Sequence, residues 1–252
     1  MHQSENKIAV ISQPRYLPAC NYIHRMTLCD IFIYLDTVQY TPRDFENRNK
    51  IKTPHGPIYL TVPVKRDYRE QPLKEIKIDN SQNWGKKHRG AIRANYAGAP
   101  CFSQFADFFF SSYQKTWHYL IDLNEAIVNH LLQELKIQCQ FVRASELTGY
   151  KNKGQDLLIS LCRNVNATTY LSGPLGRNYI DEEKLKEAGI QLYYHDYQHP
   201  NYPQLWGGFI PYMGIVDLLF NCGPKSQGIL MSGNVSKNYL HAKTTDATRL
   251  AS

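Results

Sequence analysis

Several large protein classes are excluded by what this chain lacks. No apolar run approaches the roughly 20 residues that a bilayer-spanning helix needs. Residues 1–7 are polar, and the apolar stretch behind them is cut by Gln13-Pro14, so no signal peptide is expected and the chain is expected to stay in the cytoplasm. Its six cysteines are scattered without a CxxC pair. In a reducing compartment they are expected as free thiols, most of them small buried hydrophobes. No clustered ligands suit structural zinc, and no metal is expected. There is no GxSxG elbow, no HExxH helix, no Walker A loop and no dinucleotide-type GxGxxG. Internal repeats and low-complexity stretches are absent too.

What is present suits a folded enzyme-sized chain. Of 252 residues, 42% are hydrophobic, enough for a real core in one large domain. The net charge of +7 is spread over three segments, 43–52, 65–77 and 86–93. Each reads either as solvated surface or as a contact for anions. The cations fall on no single predictable face, so nucleic acid is not the expected partner. A phosphorylated or nucleotide-linked small molecule is. Self-association is left open.

The order of elements indicates an α/β fold with a mainly parallel sheet and flanking helices. Residues 7–12 form a short apolar run, 22–29 suit a helix, and 31–35 form a second apolar run. Strand, helix and strand within about 30 residues make a βαβ unit, with parallel pairing and a right-handed crossover. A β-rich stretch covers 58–64, where Pro63 points to an edge or end, and 76–78 suits another short strand. A helix is expected over 83–96. Apolar residues at helical spacing (Leu120, Leu123, Ile127, Leu131, Leu135) predict a helix over 120–135. With the phenylalanine-rich 102–113, this makes a helical insertion at about 100–136. The second half alternates strands (139–143, 169–172, 191–194) with helices (155–164, 181–188, 215–220), again as parallel sheets do. One α/β domain over 1–235 and a flexible polar tail over 236–252 are expected.

Ligands of open α/β sheets sit outside the carboxyl ends of the strands, which selects four segments. Gln13-Pro14-Arg15-Tyr16-Leu17-Pro18 follows the first strand. Its prolines stiffen a loop, and Gln13 and Arg15 suit a carboxylate, amide or phosphate. Asp36-Thr37-Val38-Gln39-Tyr40 follows the second strand, and Asp36 either holds a ligand or caps a turn. Behind it, Arg43, Asn47, Arg48, Asn49 and Lys50 either clamp phosphate or form an exposed loop. Ser172-Gly173-Pro174 opens a loop whose backbone N–H groups can approach phosphate. In His195-Asp196-Tyr197-Gln198-His199-Pro200, with Tyr202 and Gln204 behind, a histidine serves either as a general base or as a hydrogen-bonding structural group. Pro200 and Pro203 argue against a helical metal pair there.

These segments carry a resemblance. Ile11-Ser12-Gln13-Pro14-Arg15-Tyr16-Leu17-Pro18 with Tyr22, then Leu35-Asp36-Thr37-Val38-Gln39-Tyr40, Asn47 to Thr53 and Leu60 to Val64, resemble the WbqC-like family. Tyr170 to Gly173, Tyr197, His199-Pro200, Tyr202, Gln204 and Asp217 to Asn221 continue it, over roughly residues 7–235. The family usually has Trp after the second proline, where this chain has Ala19-Cys20. A fainter similarity, in Cys29 to Tyr40, is to pantothenate synthetase and its nucleotidyltransferase-like group. That enzyme's paired histidines after the first strand and its Lys-Met-Ser-Lys-Ser motif are missing, so ATP use stays open.

The resemblance implies a place in O-antigen and related surface-polysaccharide biosynthesis, with glycine transfer to an amino sugar suggested for one member. The expected activity is therefore transfer of an aminoacyl or acyl group to an amino-sugar nucleotide; the alternative is a non-catalytic sugar-nucleotide binder. Gln13 and Tyr16 are expected at the donor pocket, and Arg43, Arg48 and Lys50 on phosphates. Asp36 or His199 would take the amine proton, with Tyr16 as a third catalytic candidate. Arg15, Tyr22, Gln39 and Asn47 from the first half, and Ser172, Gly173, Tyr197, Tyr202 and Gln204 from the second, are expected to bind substrate.

Overall fold

The computed structural model describes residues 6–66, 70–150, 153–232, 237 and 240. Its centre is a five-stranded, all-parallel sheet in the order β5-β2-β1-β6-β7. The strands are β1 (Ile8–Ser12), β2 (Ile31–Tyr34), β5 (Gln140–Arg143), β6 (Thr169–Ser172) and β7 (Gln191–Tyr194). The α/β expectation is met in the order the apolar runs gave it.

Alternation along β1 builds two cores. Ile8 and Val10 pack into one hydrophobic cluster, Ala9 and Ile11 into the other, because successive side chains point to opposite faces. A strand buried on both faces reads as one apolar run, which is how β1 and β2 appear. The larger core holds α1 (Cys20–Leu28), α2 (Trp84–Tyr96), α3 (Phe102–Ser112), α4 (Leu120–Glu134) and α7 (Val216–Cys222). The smaller core holds α5 (Gly154–Asn164) and α6 (Glu182–Glu187). In α4 the heptad-like Leu120, Leu123, Ile127 and Leu131 are all buried, each contributing about 1.5–3 kcal/mol of apolar burial.

Two segments differ from the sequence reading. Part of the cationic stretch 43–52 is a strand, β3 (Arg48–Thr53), paired antiparallel with β4 (Gly56–Thr61) in a separate two-stranded sheet. Residues 76–78 form only isolated bridges, Val64 to Ile78 and Lys77 to Tyr119. A further helix, α8 (Ser226–Met231), follows α7. The tail expected from 236 onward lies outside the described residues apart from Lys237 and Leu240. Among the described residues, no helix is long and apolar enough to cross a membrane.

The chain runs outward from β1 through β2 to β5, then returns beside β1 as β6 and runs outward the other way to β7. The strand order therefore reverses between β1 and β6. Their carboxyl ends, Ser12 and Ser172, mark the crevice where ligands of doubly wound sheets sit.

The long irregular segment after β7 is fixed by one buried carboxylate. Asp217, on α7, accepts from Tyr96 (2.7 Å), Tyr202 (3.0 Å) and Gln204 (2.7 Å). Gln204 in turn bonds the backbone N–H and carbonyl of Ile210. Buried Lys52 reaches the side-chain carbonyl of Gln204 at 3.0 Å and the Gly208 carbonyl at 2.5 Å. A loop without a ladder of its own is thus tied to the core through paired polar groups.

Candidate functional site

At the reversal point sits a buried guanidinium. Arg25, on α1, is 8% exposed and reaches Ser12 Oγ at 3.4 Å from the end of β1. It also lies against Gly173, just past β6, where an added Cβ would stand 3.4 Å from its Nη1. Among the described residues Arg25 has no carboxylate partner within ion-pair distance. Burial, and then the charge of Arg15, pull its pKa below the ordinary arginine value, yet a guanidinium stays charged at neutral pH.

Two imidazoles stand beside it. His24 precedes Arg25 on α1, and His195 follows β7. Their Nδ1 and Nε2 lie 2.9 Å apart, with the rings stacked at 5.1 Å. Burial pushes His24 down to about 4. Burial, the Arg25 charge and His24 push His195 down to about 3. Both are neutral at pH 7, so Arg25 carries the full charge of this cluster. His24 Nε2 is buried and has no hydrogen-bond partner among the described residues.

The ring stack continues outward. Tyr197 packs on His24 at 5.1 Å and on His195 at 5.6 Å, and His199 follows at 5.7 Å. Exposed Tyr212 packs on His199 at 4.8 Å. His199 Nδ1 lies 3.0 Å from the Pro200 carbonyl, an acceptor, so the ring nitrogen there carries the proton. Burial lowers this histidine, and its Nε2 is then a bare lone pair, buried and without a partner among the described residues.

On the other flank, the first loop is held against α1. The Tyr22 hydroxyl donates to the Gln13 carbonyl at 3.0 Å. Arg15 lies over the Tyr22 ring at 5.8 Å and the Phe45 ring at 5.3 Å, and Arg25 covers Tyr22 at 5.4 Å. Next to Phe45, Glu46 is 1% exposed, and among the described residues neither of its carboxylate oxygens has a hydrogen-bond partner. Burial raises it to about 7.

The structure brings Gln13, Arg15, Tyr22, Gly173, Tyr197 and His199 to this rim. Ser172 is there too, buried and donating to the Gly173 carbonyl at 3.1 Å. Gly176 is required beside it, because a Cβ would stand 2.1 Å from Ser172 Oγ.

The remaining expected residues stand elsewhere or are engaged internally. Asp36 is fully buried and accepts from the Ser145 backbone N–H (2.9 Å) and hydroxyl (2.5 Å), capping the short turn Ala144–Glu146 after β5. Tyr16 turns into the helical layer, where its hydroxyl lies 2.8 Å from His88 Nδ1 and 2.7 Å from the Tyr113 hydroxyl. Asn47 bonds the Val62 carbonyl across the base of the hairpin, and Asn49 bonds the Leu17 and Tyr16 carbonyls, holding the hairpin to the rim loop. Arg48 and Lys50, two apart on β3, share the outer face and lie over Tyr59 at 4.4 and 5.7 Å. Arg43 is exposed, and its carbonyl accepts from Arg48. Gln39 is exposed and bridges to Pro72. Tyr202 and Gln204 serve the Asp217 network described above.

His24, Arg25 and Glu46 escaped the sequence reading. The first two had one available signal, a titratable pair inside a helix otherwise packed with Tyr22, Ile23, Met26 and Leu28. Glu46 had none, being a lone carboxylate in a cationic stretch. Among the described residues, no group of three or more His, Cys, Asp or Glu is placed to hold a metal ion. A cavity of about 670 Å³, lined by Lys65, Lys77, Trp117, His118 and Tyr119, lies away from this rim. The rim takes precedence as the candidate site because the buried Arg25 guanidinium and the buried, unpartnered Nε2 atoms of His24 and His199 meet there.

No solved structure matches the chain. An uncharacterized protein of Mycobacterium tuberculosis is similar to it, 36% identical over 227 residues, which is 89% of this chain and 97% of that protein. The profile of the WbqC-like protein family matches residues 13–229, from the loop that follows β1 into α8. The rim loops and the helices that position them all fall within that span, and the chain belongs to the WbqC-like family.

Proposed function

We propose that this protein is a sugar-modifying transferase of surface-polysaccharide or related glycoconjugate biosynthesis, moving an aminoacyl (glycyl) or acyl group to the amine of a nucleotide-linked amino sugar. The observation that carries this reading is Arg25, a buried guanidinium at the reversal of strand order that has no carboxylate partner among the described residues. A buried charge of that kind is costly unless an anion completes it. A phosphate or carboxylate does so through the paired N–H groups of the guanidinium. Arg15 adds a second cation against the Tyr22 ring.

The chemistry then needs a base beside the bound anion. The amine nitrogen attacks the activated acyl carbon, the bond from that carbon to its leaving group breaks, and the amine proton must go somewhere. His199 Nε2, bare and shielded by Tyr202, Phe209 and Tyr212, is the group we assign to receive it. Exposed Tyr212 and half-buried Tyr197 provide apolar faces for a sugar ring.

Purified protein incubated with a panel of amino-sugar nucleotides, with glycine and ATP or with preactivated glycyl donors, is expected to yield an amide. His199→Ala should abolish turnover while leaving sugar-nucleotide affinity intact. No amide from any donor and acceptor in a broad panel would end the catalytic reading.

A second reading is a non-catalytic sugar-nucleotide binder using the same guanidinium. It is favoured by Asp36 and Tyr16, whose polar atoms are engaged inside the protein. Sugar-nucleotide binding that needs Arg25, combined with a cellular phenotype that survives His199→Ala, selects it.

A further inference from the structure

The amino-terminal rim of the sheet, opposite the candidate site, carries a pair of thiols. Cys29 directly follows α1, and Cys139 directly precedes β5. The parallel register of β2 and β5, with Ile31 opposite Gln140, sets the two cysteines at neighbouring strand starts. Their sulfurs lie 3.8 Å apart although 110 residues separate them in the chain.

The two thiols differ in environment. Cys29 is 1% exposed, whereas Cys139 is half-buried and both line an open cavity of about 550 Å³. Lys237 reaches into the same cavity, bonding the Cys29 carbonyl at 2.9 Å and Asp30 at 2.6 Å. A hydrogen bond from Cys29, and after it the Lys237 charge, draw the Cys139 thiol below its ordinary value against the effect of burial. Burial holds the Cys29 thiol well above its own. The accessible partner is thus the better thiolate, and the buried one is placed to react second. A metal site is disfavoured, since no third His, Cys, Asp or Glu ligand joins the two thiols among the described residues.

We propose that Cys139 is a peroxide-reactive site that closes a disulfide with Cys29. The Cys139 thiolate attacks one peroxide oxygen and the O–O bond breaks, giving a sulfenic acid and hydroxide. The Cys29 sulfur then attacks the Cys139 sulfur, the S–O bond breaks, and water leaves with the Cys29 proton. Two thiols are oxidised to one disulfide, and one peroxide is reduced to two waters. The sulfurs must close from 3.8 Å to about 2.05 Å, within reach of side-chain rotation at adjoining strands. The link fastens the end of α1, the helix that carries His24 and Arg25, to the start of β5. This proposal does not depend on the transferase reading.

The test treats the full chain with hydrogen peroxide, then counts thiols after unfolding in guanidinium. Two of the six thiols should disappear, peptide mapping should join Cys29 to Cys139, and dithiothreitol should restore both. In Cys29→Ser, dimedone should label Cys139 as a trapped sulfenic acid. In Cys139→Ser, which changes the less buried partner, the same dose should leave every remaining thiol free. Six free thiols after treatment of the unaltered chain, or a link made through any other cysteine, overturns the proposal.

Discussion

His24 Nδ1 and His195 Nε2 lie 2.9 Å apart with 171 residues of chain between them. The contact joins α1 to the segment after β7, across the point where the strand order reverses. Neither ring can take up a proton without placing a buried charge beside the Arg25 guanidinium, which makes the pair an electrically neutral wall of the candidate site.

That neutrality gives a pH prediction. Each folded pKa lies below the unfolded value of about 6.5, so the unfolded chain binds protons first as pH falls. Stability is complete above pH 6.5, then declines as pH drops toward the folded values of about 4 and about 3. Each imidazole should cost about 2 kcal/mol between pH 7 and pH 5. NMR titration of the imidazole resonances should show both rings neutral at pH 5.5. A titration midpoint near 6.5 for both would refute the arrangement.

Glu46 acts with the opposite sign. Its folded pKa of about 7 lies above the unfolded carboxylate value, so the charged form is disfavoured by folding. The cost is full above pH 7 and fades as pH falls toward about 4.5. Glu46→Gln should therefore stabilise the protein at pH 8 by about 2–3 kcal/mol and give almost no gain at pH 4.5. Urea unfolding at the two values measures it. Equal effects at both would show that Glu46 is not held as a neutral acid.

Space beside Arg25 is a separate prediction. Gly173 has extended backbone that accepts a side chain, but the volume above it belongs to the guanidinium. Gly173→Val should weaken nucleotide-sugar binding at least about tenfold, ~1.4 kcal/mol, with little change in unfolding free energy. Calorimetric titration beside a melting curve separates the two. Unaltered affinity would move the anion site elsewhere.

The Asp217 network should set the order of the segment that carries His199. Asp217→Ala strips Tyr96, Tyr202 and Gln204 of their shared acceptor and leaves buried Lys52 without its counter-charge. A loss of about 3–5 kcal/mol is expected, with faster proteolysis between residues 204 and 212. A variant as stable and as protease-resistant as the parent would contradict this account of the loop.

Much of the frame could be read along the chain. Strands buried on both faces, such as Ile8–Ser12 and Ile31–Tyr34, must be apolar throughout, and α4 must repeat Leu120, Leu123, Ile127 and Leu131 every turn. Strand ends were therefore legible, and with them Gln13, Gly173, Tyr197 and His199. Harder cases were residues whose role depends on a distant partner. Asp36 reads equally as a ligand or a cap until Ser145, 109 residues away, takes both oxygens. Arg48 and Lys50 read as a phosphate clamp or an exposed loop, and only the pairing of β3 with β4 shows that they sit on a strand, over Tyr59.

The local pattern of apolar and polar residues thus determined the strands of the central sheet, most of the helices and the rim at which ligands are expected, since periodicity is a property of neighbouring residues. Burial decided the rest. Whether Arg25 has a counter-ion, whether His24 and His195 are neutral, and whether Glu46 holds a proton depend on which groups fold around them from elsewhere. Only the tertiary structure sets the water exclusion and charge spacing that govern those states.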